Sequence, residues 1–241
     1  MLSKEGFQSR LISLAAVFAA MISVLDIVPI FPGFYSGIWD SWAFLLSPLI
    51  GVLLGPYLGA FSVGLGTLVG HMVYFRNPYE LVFMIGAPLG ALMSGFTYRE
   101  RWQPVFAIYS LLLVGYFITP VSWLLPLWGI WDVLVGYALV IVTALLSVGK
   151  IWPQADERKS TCKLLFSGII GLESDILLRI FILIPGQTYW FFYGLTPSQL
   201  QMLWLAAAFI TPIKVAMATI VCIILGMALK EQVEIDSRSS S

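Results

Sequence analysis

Residues 163–185 read KLLFSGIIGLESDILLRIFILIP, a run long and apolar enough to cross a bilayer that nevertheless holds Glu173, Asp175 and Arg179. An ionisable side chain at membrane depth costs about 3 kcal/mol or more unless it is paired or faces water. A further cation, Lys214, lies in the next apolar run. Four such groups in two neighbouring runs argue against a lipid-facing position. They imply a polar interior, enclosed by other apolar segments.

The composition supplies those segments. Hydrophobic residues make up 59% of the 241, charged residues only 11%, and the mean hydropathy is +0.92. A soluble domain carries roughly 25% charged residues, so this chain lacks the polar surface to face water and reads as a polytopic membrane protein. Its formal net charge is zero. With no basic arm, nucleic acid is not an expected partner. Cys162 and Cys222 lack metal or redox spacing. The N-terminal apolar run is longer than a signal-peptide core and reads as a retained first span.

At about 20 residues per crossing, eight hydrophobic segments emerge, at 10–31, 43–55, 57–75, 81–98, 104–125, 128–149, 163–185 and 202–229. Gly55-Pro56 separates the second from the third with almost no loop, which leaves two helices or one kinked helix open. No alternating short-strand pattern points to a barrel. With a cytoplasmic N-terminus, Lys4, Arg10, Arg99, Arg101, Lys150, Arg158, Lys159, Lys163, Lys230 and Arg238 all fall inside, ten of the thirteen basic residues. Merging the second and third segments flips every later loop and destroys that bias. The expected fold is an all-α plasma-membrane domain over 1–230 with about eight spans and both termini cytoplasmic. A disordered tail over 231–241 is expected to follow.

The outer connections carry aromatics, Pro and Gly. An aromatic belt at the headgroups accounts for most of them. The connection 185–201 exceeds that need: Tyr189, Trp190, Phe192 and Tyr193 crowd one loop, as in lids over binding sites. Depth along the spans places Asp175 and Lys214 near mid-membrane and Asp26, His71 and Asp132 near the outer surface. That asymmetry points to a cavity opening outward.

Asp175 and Arg179 are spaced i,i+4 and can pair on one helix face. Glu173 lies about 200° around the helix from Asp175 and needs a different partner. Lys214 is the candidate for either carboxylate. Two readings follow: ion pairs that lock spans together, or groups that bind a polar substrate or couple protons. His71, the single histidine, has no Cys or carboxylate at ligand spacing, so no metal is expected and a hydrogen-bonding role near the outer mouth is favoured. Trp39, Asp40 and Trp42 either cap a ligand or anchor the first outer loop. Ala15/Ala19 and Ala16/Ala20 form two overlapping small-xxx-small pairs, suited to close helix packing inside the protein or against a partner. No GxSxG, HExxH or Walker motif occurs, so no enzymatic activity of its own and no cofactor are expected.

Over 11–100 the chain resembles the substrate-binding S component of energy-coupling factor (ECF) transporters. LISLAAVFAAMISVLDIVPIFP is similar to that family's opening helix with its Ala-x-x-x-Ala stripe, and SPLIGVLLGPYLGAFSVGLGTLVGHM to its second and third helices. GAPLGALMSGFTYRER resembles the fourth, and AAFITPIKVAMATIVCIILGMAL the last. S components usually have six spans, so the excess here lies near 104–149, as an extra helical hairpin on a six-helix core. The resemblance implies capture of a vitamin-like or other micronutrient at the outer face. It also implies docking through Ala15, Ala16, Ala19 and Ala20 on a transmembrane coupling subunit served by two cytoplasmic ATPases. It carries no substrate rule. The candidate substrate contacts, from depth and loop position, are Trp39, Asp40, His71, Asp175, Arg179, Trp190 and Lys214, and their mixed charge favours a polar or zwitterionic ligand. The rivals are an ion-coupled secondary transporter using Glu173, Asp175 and Lys214, and an intramembrane enzyme acting on lipid through Glu, Asp and His.

Overall fold

The computed structural model describes residues 4–28, 41–75, 78–153 and 155–239. Among these the protein is all-helical: α1 (Lys4–Ile27), α2 (Ser47–Leu54), α3 (Pro56–Val73), α4 (Glu80–Phe83), α5 (Gly86–Tyr98), α6 (Trp102–Ile118), α7 (Trp131–Gly149), α8 (Asp156–Leu183), α9 (Thr188–Phe191) and α10 (Pro197–Ser239), with short 3₁₀ turns between. The charged run sits within α8, which begins seven residues before residue 163. α8 packs most extensively on α5, then on α10, α7, α6 and α2. Every residue from Gly171 to Leu177 is buried. A helix hidden on all sides belongs at the centre of its bundle.

Among the described residues three helical stretches are long and apolar enough to cross a membrane, Glu80–Tyr98, Leu127–Val148 and Pro197–Leu229, with Leu11–Ile27 and Trp102–Ile118 apolar but shorter. The outward faces are apolar too, with Phe61, Leu111, Phe209, Ile213 and Ile224 exposed. Water offers such a surface nothing, and a bilayer suits it. α10 continues as helix through 231–239, where a disordered tail is expected from the sequence.

The second and third hydrophobic segments are two helices folded back on each other. Gly55 stands between them at φ +86°, a left-handed conformation that ends α2 and starts α3 in one residue. At eight residues, α2 is about 12 Å long. Its packing needs bare backbone: a Cβ on Gly59 would lie 2.7 Å from Gly51 Cα, and one on Gly51 would strike the Ala91 carbonyl of α5. α1 then lies along α3. Ser62 Oγ donates to the Ala15 carbonyl at 2.7 Å, and Gly66 lets the Ala19 carbonyl approach. The alanine stripe therefore divides: Ala15 and Ala19 are buried against α3, while Ala16 and Ala20 face outward.

Several connections meet at one end of the bundle. The Arg99 guanidinium sits beside Gly55, and Glu100, itself at φ +58°, meets Lys163 at 2.5 Å and Lys159 at 3.4 Å. Lys163 also lies 5.6 Å from the centre of the Tyr98 ring. Burial by itself would raise the Glu100 carboxyl, but the hydrogen bond and charge of Lys163, with Lys159, hold it below the usual carboxylate range.

Gly51→Ala is expected to cost about 1–3 kcal/mol through overpacking against Ala91, whereas Gly64→Ala, whose Cβ would meet only the Pro88 ring at 3.2 Å, should cost little. Thermal unfolding of the two variants checks the contrast. The Glu100 clamp makes a pH prediction. Because the folded-state value is depressed, its stabilisation is full above the unperturbed 4.5 and is lost as pH falls through the lower, folded value. Melting temperatures over pH 3–6 should show a shallower acid decline in Glu100→Gln than in the wild type. Equal slopes would refute the clamp.

Candidate functional site

A cleft of about 50 Å³ lies between α8, α10 and the start of α7, lined by Asp132, Ile176, Arg179, Trp204, Thr211 and Lys214, among others. That is room for a few water molecules. Asp132 stands in the first turn of α7, where its Oδ1 accepts the Val133 N–H at 3.0 Å and its Oδ2 accepts the Thr211 hydroxyl. Thr211 precedes Pro212, which lies inside α10. A helical proline has no N–H to give the carbonyl four residues back. That carbonyl, Ala208, accepts the Trp131 Nε1–H instead, at 2.9 Å, and ties α10 to α7.

Arg179 and Asp175 form the i,i+4 pair expected from their spacing, with Nε to Oδ1 at 2.6 Å. α5 makes room for it with glycine. A Cβ on Gly86 would overlap the Asp175 carboxylate, and one on Gly90 would lie 3.2 Å from Asp175 Cβ. Lys214 is 5% exposed and places Nζ 5.1 Å from the centre of the buried Phe44 ring, a cation–π contact. Glu173 does not join this group at the cleft. It faces α6 and α7, with Gly136 against its side chain and Tyr109 nearby, and its Oε2 has no hydrogen-bond partner among the described residues. The cause is the angular offset from Asp175, which turns it toward different helices. Asp132 is close enough for its charge to act on Glu173.

A second polar cluster joins α1, α3 and α4. His71 Nδ1 lies 2.7 Å from Asp26 Oδ2, its Nε2 lies 3.8 Å from Glu80 Oε2, and Ser41 Oγ donates to Asp26 Oδ1 at 2.7 Å. The charges of both Asp26 and Arg179 act on Glu80, so the cluster is coupled to the cleft. Local spacing gave no hint of these carboxylates around His71, because Asp26 comes from α1. Among the described residues no group of three or more such side chains is arranged to hold a metal ion.

Trp39 and Asp40 lie outside the described residues. Trp42 stacks on Phe44 with centroids 6.0 Å apart. Trp190 is 59% exposed, and its aromatic neighbours do the covering: Phe192 stacks on Tyr79 at 4.4 Å and Tyr193 tilts against Phe83. Trp204 and Thr211 were not legible as cleft residues. A lone Trp and Thr in an apolar span carry no signal until α7 is placed against them.

Comparison with protein-family models, curated proteins and solved structures finds no match to this chain.

Removing Arg179 leaves Asp175 buried without its guanidinium, so Arg179→Leu is expected to cost about 3–5 kcal/mol. Thermal unfolding in detergent or nanodiscs checks this. A loss below 1 kcal/mol would mean that the pair contributes little to holding α8 in place.

Proposed function

We propose that the protein is the membrane-embedded substrate-binding subunit of an ECF-type importer, crossing the plasma membrane about eight times with both termini cytoplasmic. The observation that carries this reading is the cleft at one end of the bundle, where Asp132, Arg179 and Lys214 converge at a depth that lipid-facing charges do not tolerate. Its volume restricts the cargo to a small nutrient or to the polar head of a larger one. The outward Ala16/Ala20 pair on α1 offers a close-packing surface for a transmembrane coupling subunit, which would bring two cytoplasmic ATPases. The clustering of Glu100, Lys159 and Lys163 at one end agrees with a cytoplasmic face rich in basic residues.

One observation favours a second reading. Glu173 is 2% exposed with an oxygen lacking a hydrogen-bond partner among the described residues, as in a carboxylate that exchanges an ion or proton during transport. In this reading an ion gradient, not ATP, drives the protein as a secondary transporter.

Reconstitution separates them. Ligand identified by mass spectrometry of the purified protein should enter proteoliposomes only with the coupling subunit and ATPases present, and Ala16→Trp should abolish uptake while leaving ligand binding intact. Uptake by the chain alone under an ion gradient would establish the secondary transporter. Undiminished ATP-driven uptake by Ala16→Trp would remove α1 from the docking surface.

A further inference from the structure

Glu173 is buried at the centre of the bundle, and its Oε2 has no hydrogen-bond partner among the described residues. The rotation of α8 sets it against α7, where a Cβ on Gly136 would lie 2.9 Å from both its Cβ and its Cγ. Among the described residues no cation is turned toward it. Arg179 pairs with Asp175 on the face of α8 that meets Gly86 of α5, and Lys214 of α10 lies over Phe44. α6 brings Tyr109, and Tyr116 further along stacks on Trp204. α7 brings Tyr137, stacked on Tyr109, and Asp132. α2 has no ionisable side chain, and α5 has only Tyr98, at the end that meets Lys163. The charge that acts on Glu173 is therefore that of Asp132, which has the same sign.

An ionised carboxylate in that position lacks both the donor and the counter-charge that a buried charge requires. The neutral acid suits the surroundings. The Tyr109 hydroxyl, against the same Gly136, donates its proton to the Val133 carbonyl at 2.7 Å, so toward other groups its oxygen offers lone pairs. Asp132 and Gly136 are spaced i,i+4 on α7 and share one face, with a rise of about 6 Å between them. Asp132 also lines the cleft. Cleft, Asp132 and Glu173 thus follow one another along a single face of α7, and the bare backbone of Gly136 is what admits the Glu173 side chain to it.

We propose that Glu173 is a proton-binding site, filled from the cleft by way of Asp132. This deepens the ion-coupled reading of Glu173, on which it rests, by naming the ion as a proton and the cleft as its entrance. Among the described residues no group of three acids, histidines or cysteines is arranged to hold a metal cation there, whereas a proton needs only the one carboxyl. A proton entering this way leaves water in the cleft, rests on the Asp132 carboxylate and ends on Glu173 Oε2. No other bond forms or breaks.

Infrared difference spectroscopy of the full chain in nanodiscs tests this, through the C=O stretch of a protonated carboxylic acid. The wild type at pH 7 should show such a band, reversibly lost at high pH and missing from Glu173→Gln. In D2O the band should shift as deuterium replaces the proton, and Asp132→Asn should slow that exchange at least about tenfold. Absence of the band, its indifference to pH, its persistence in Glu173→Gln or unaltered exchange in Asp132→Asn overturns the proposal. Should a variant fail to fold, the wild type alone gives a second check. Dicyclohexylcarbodiimide adds the O–H of a protonated, buried carboxyl across its C=N bond, and peptide mass spectrometry should find the adduct on Glu173 at pH 7 and little of it at high pH. An unlabelled Glu173 overturns the proposal as well. A titrating Glu173 without uptake under a proton gradient would sink the secondary transporter and leave the proton site standing. Uptake driven by a sodium gradient, with no acid band from Glu173, would do the reverse.

Discussion

The whole arrangement depends on keeping the charged turns of α8 away from lipid. A carboxylate in hydrocarbon is far costlier than any single packing contact is favourable. α8 is accordingly wrapped by α5, α10, α7, α6 and α2. The Asp175–Arg179 pair neutralises one face, at 2.6 Å. Glycines on the facing helices, Gly86 and Gly90 on α5 and Gly136 on α7, clear the volume that the acidic side chains occupy. Charge, pairing and glycine placement are thus one solution to one energetic problem.

The same economy of small residues builds the other half of the bundle. α2, eight residues long, is buried among α3 and α5 through Gly51, Gly59 and Gly95. Close approach of this kind gains dispersion contacts where no hydrophobic driving force operates between helices in lipid. It also explains why Ala15 and Ala19 turn inward, since α3 presents Ser62 and Gly66 to them. Ala16 and Ala20 stay exposed on the opposite side of the stripe.

Two polar clusters tie the helices together. Asp26, Ser41, His71 and Glu80 bind α1, α3 and α4 to one another, and Asp132, Thr211, Arg179 and Lys214 define the cleft. Arg179 belongs to both through its charge on Glu80.

Helical class, the central place of the run 163–185 and the Asp175–Arg179 pair were all legible in the sequence. Each depends on local quantities: hydropathy over a span, the cost of a charge in it, and the 3.6-residue period. The kinship of residues far apart in the chain was not legible. Glu173 was open to pairing with Lys214 but turns to α6 and α7, and Trp190 stood out in its loop yet faces outward while Phe192 and Tyr193 cover α4. Trp204, Thr211 and the carboxylates around His71 gained meaning only when α10 met α7 and α1 met α3. Periodicity decides which face of a helix is polar, but only packing decides which helix that face meets.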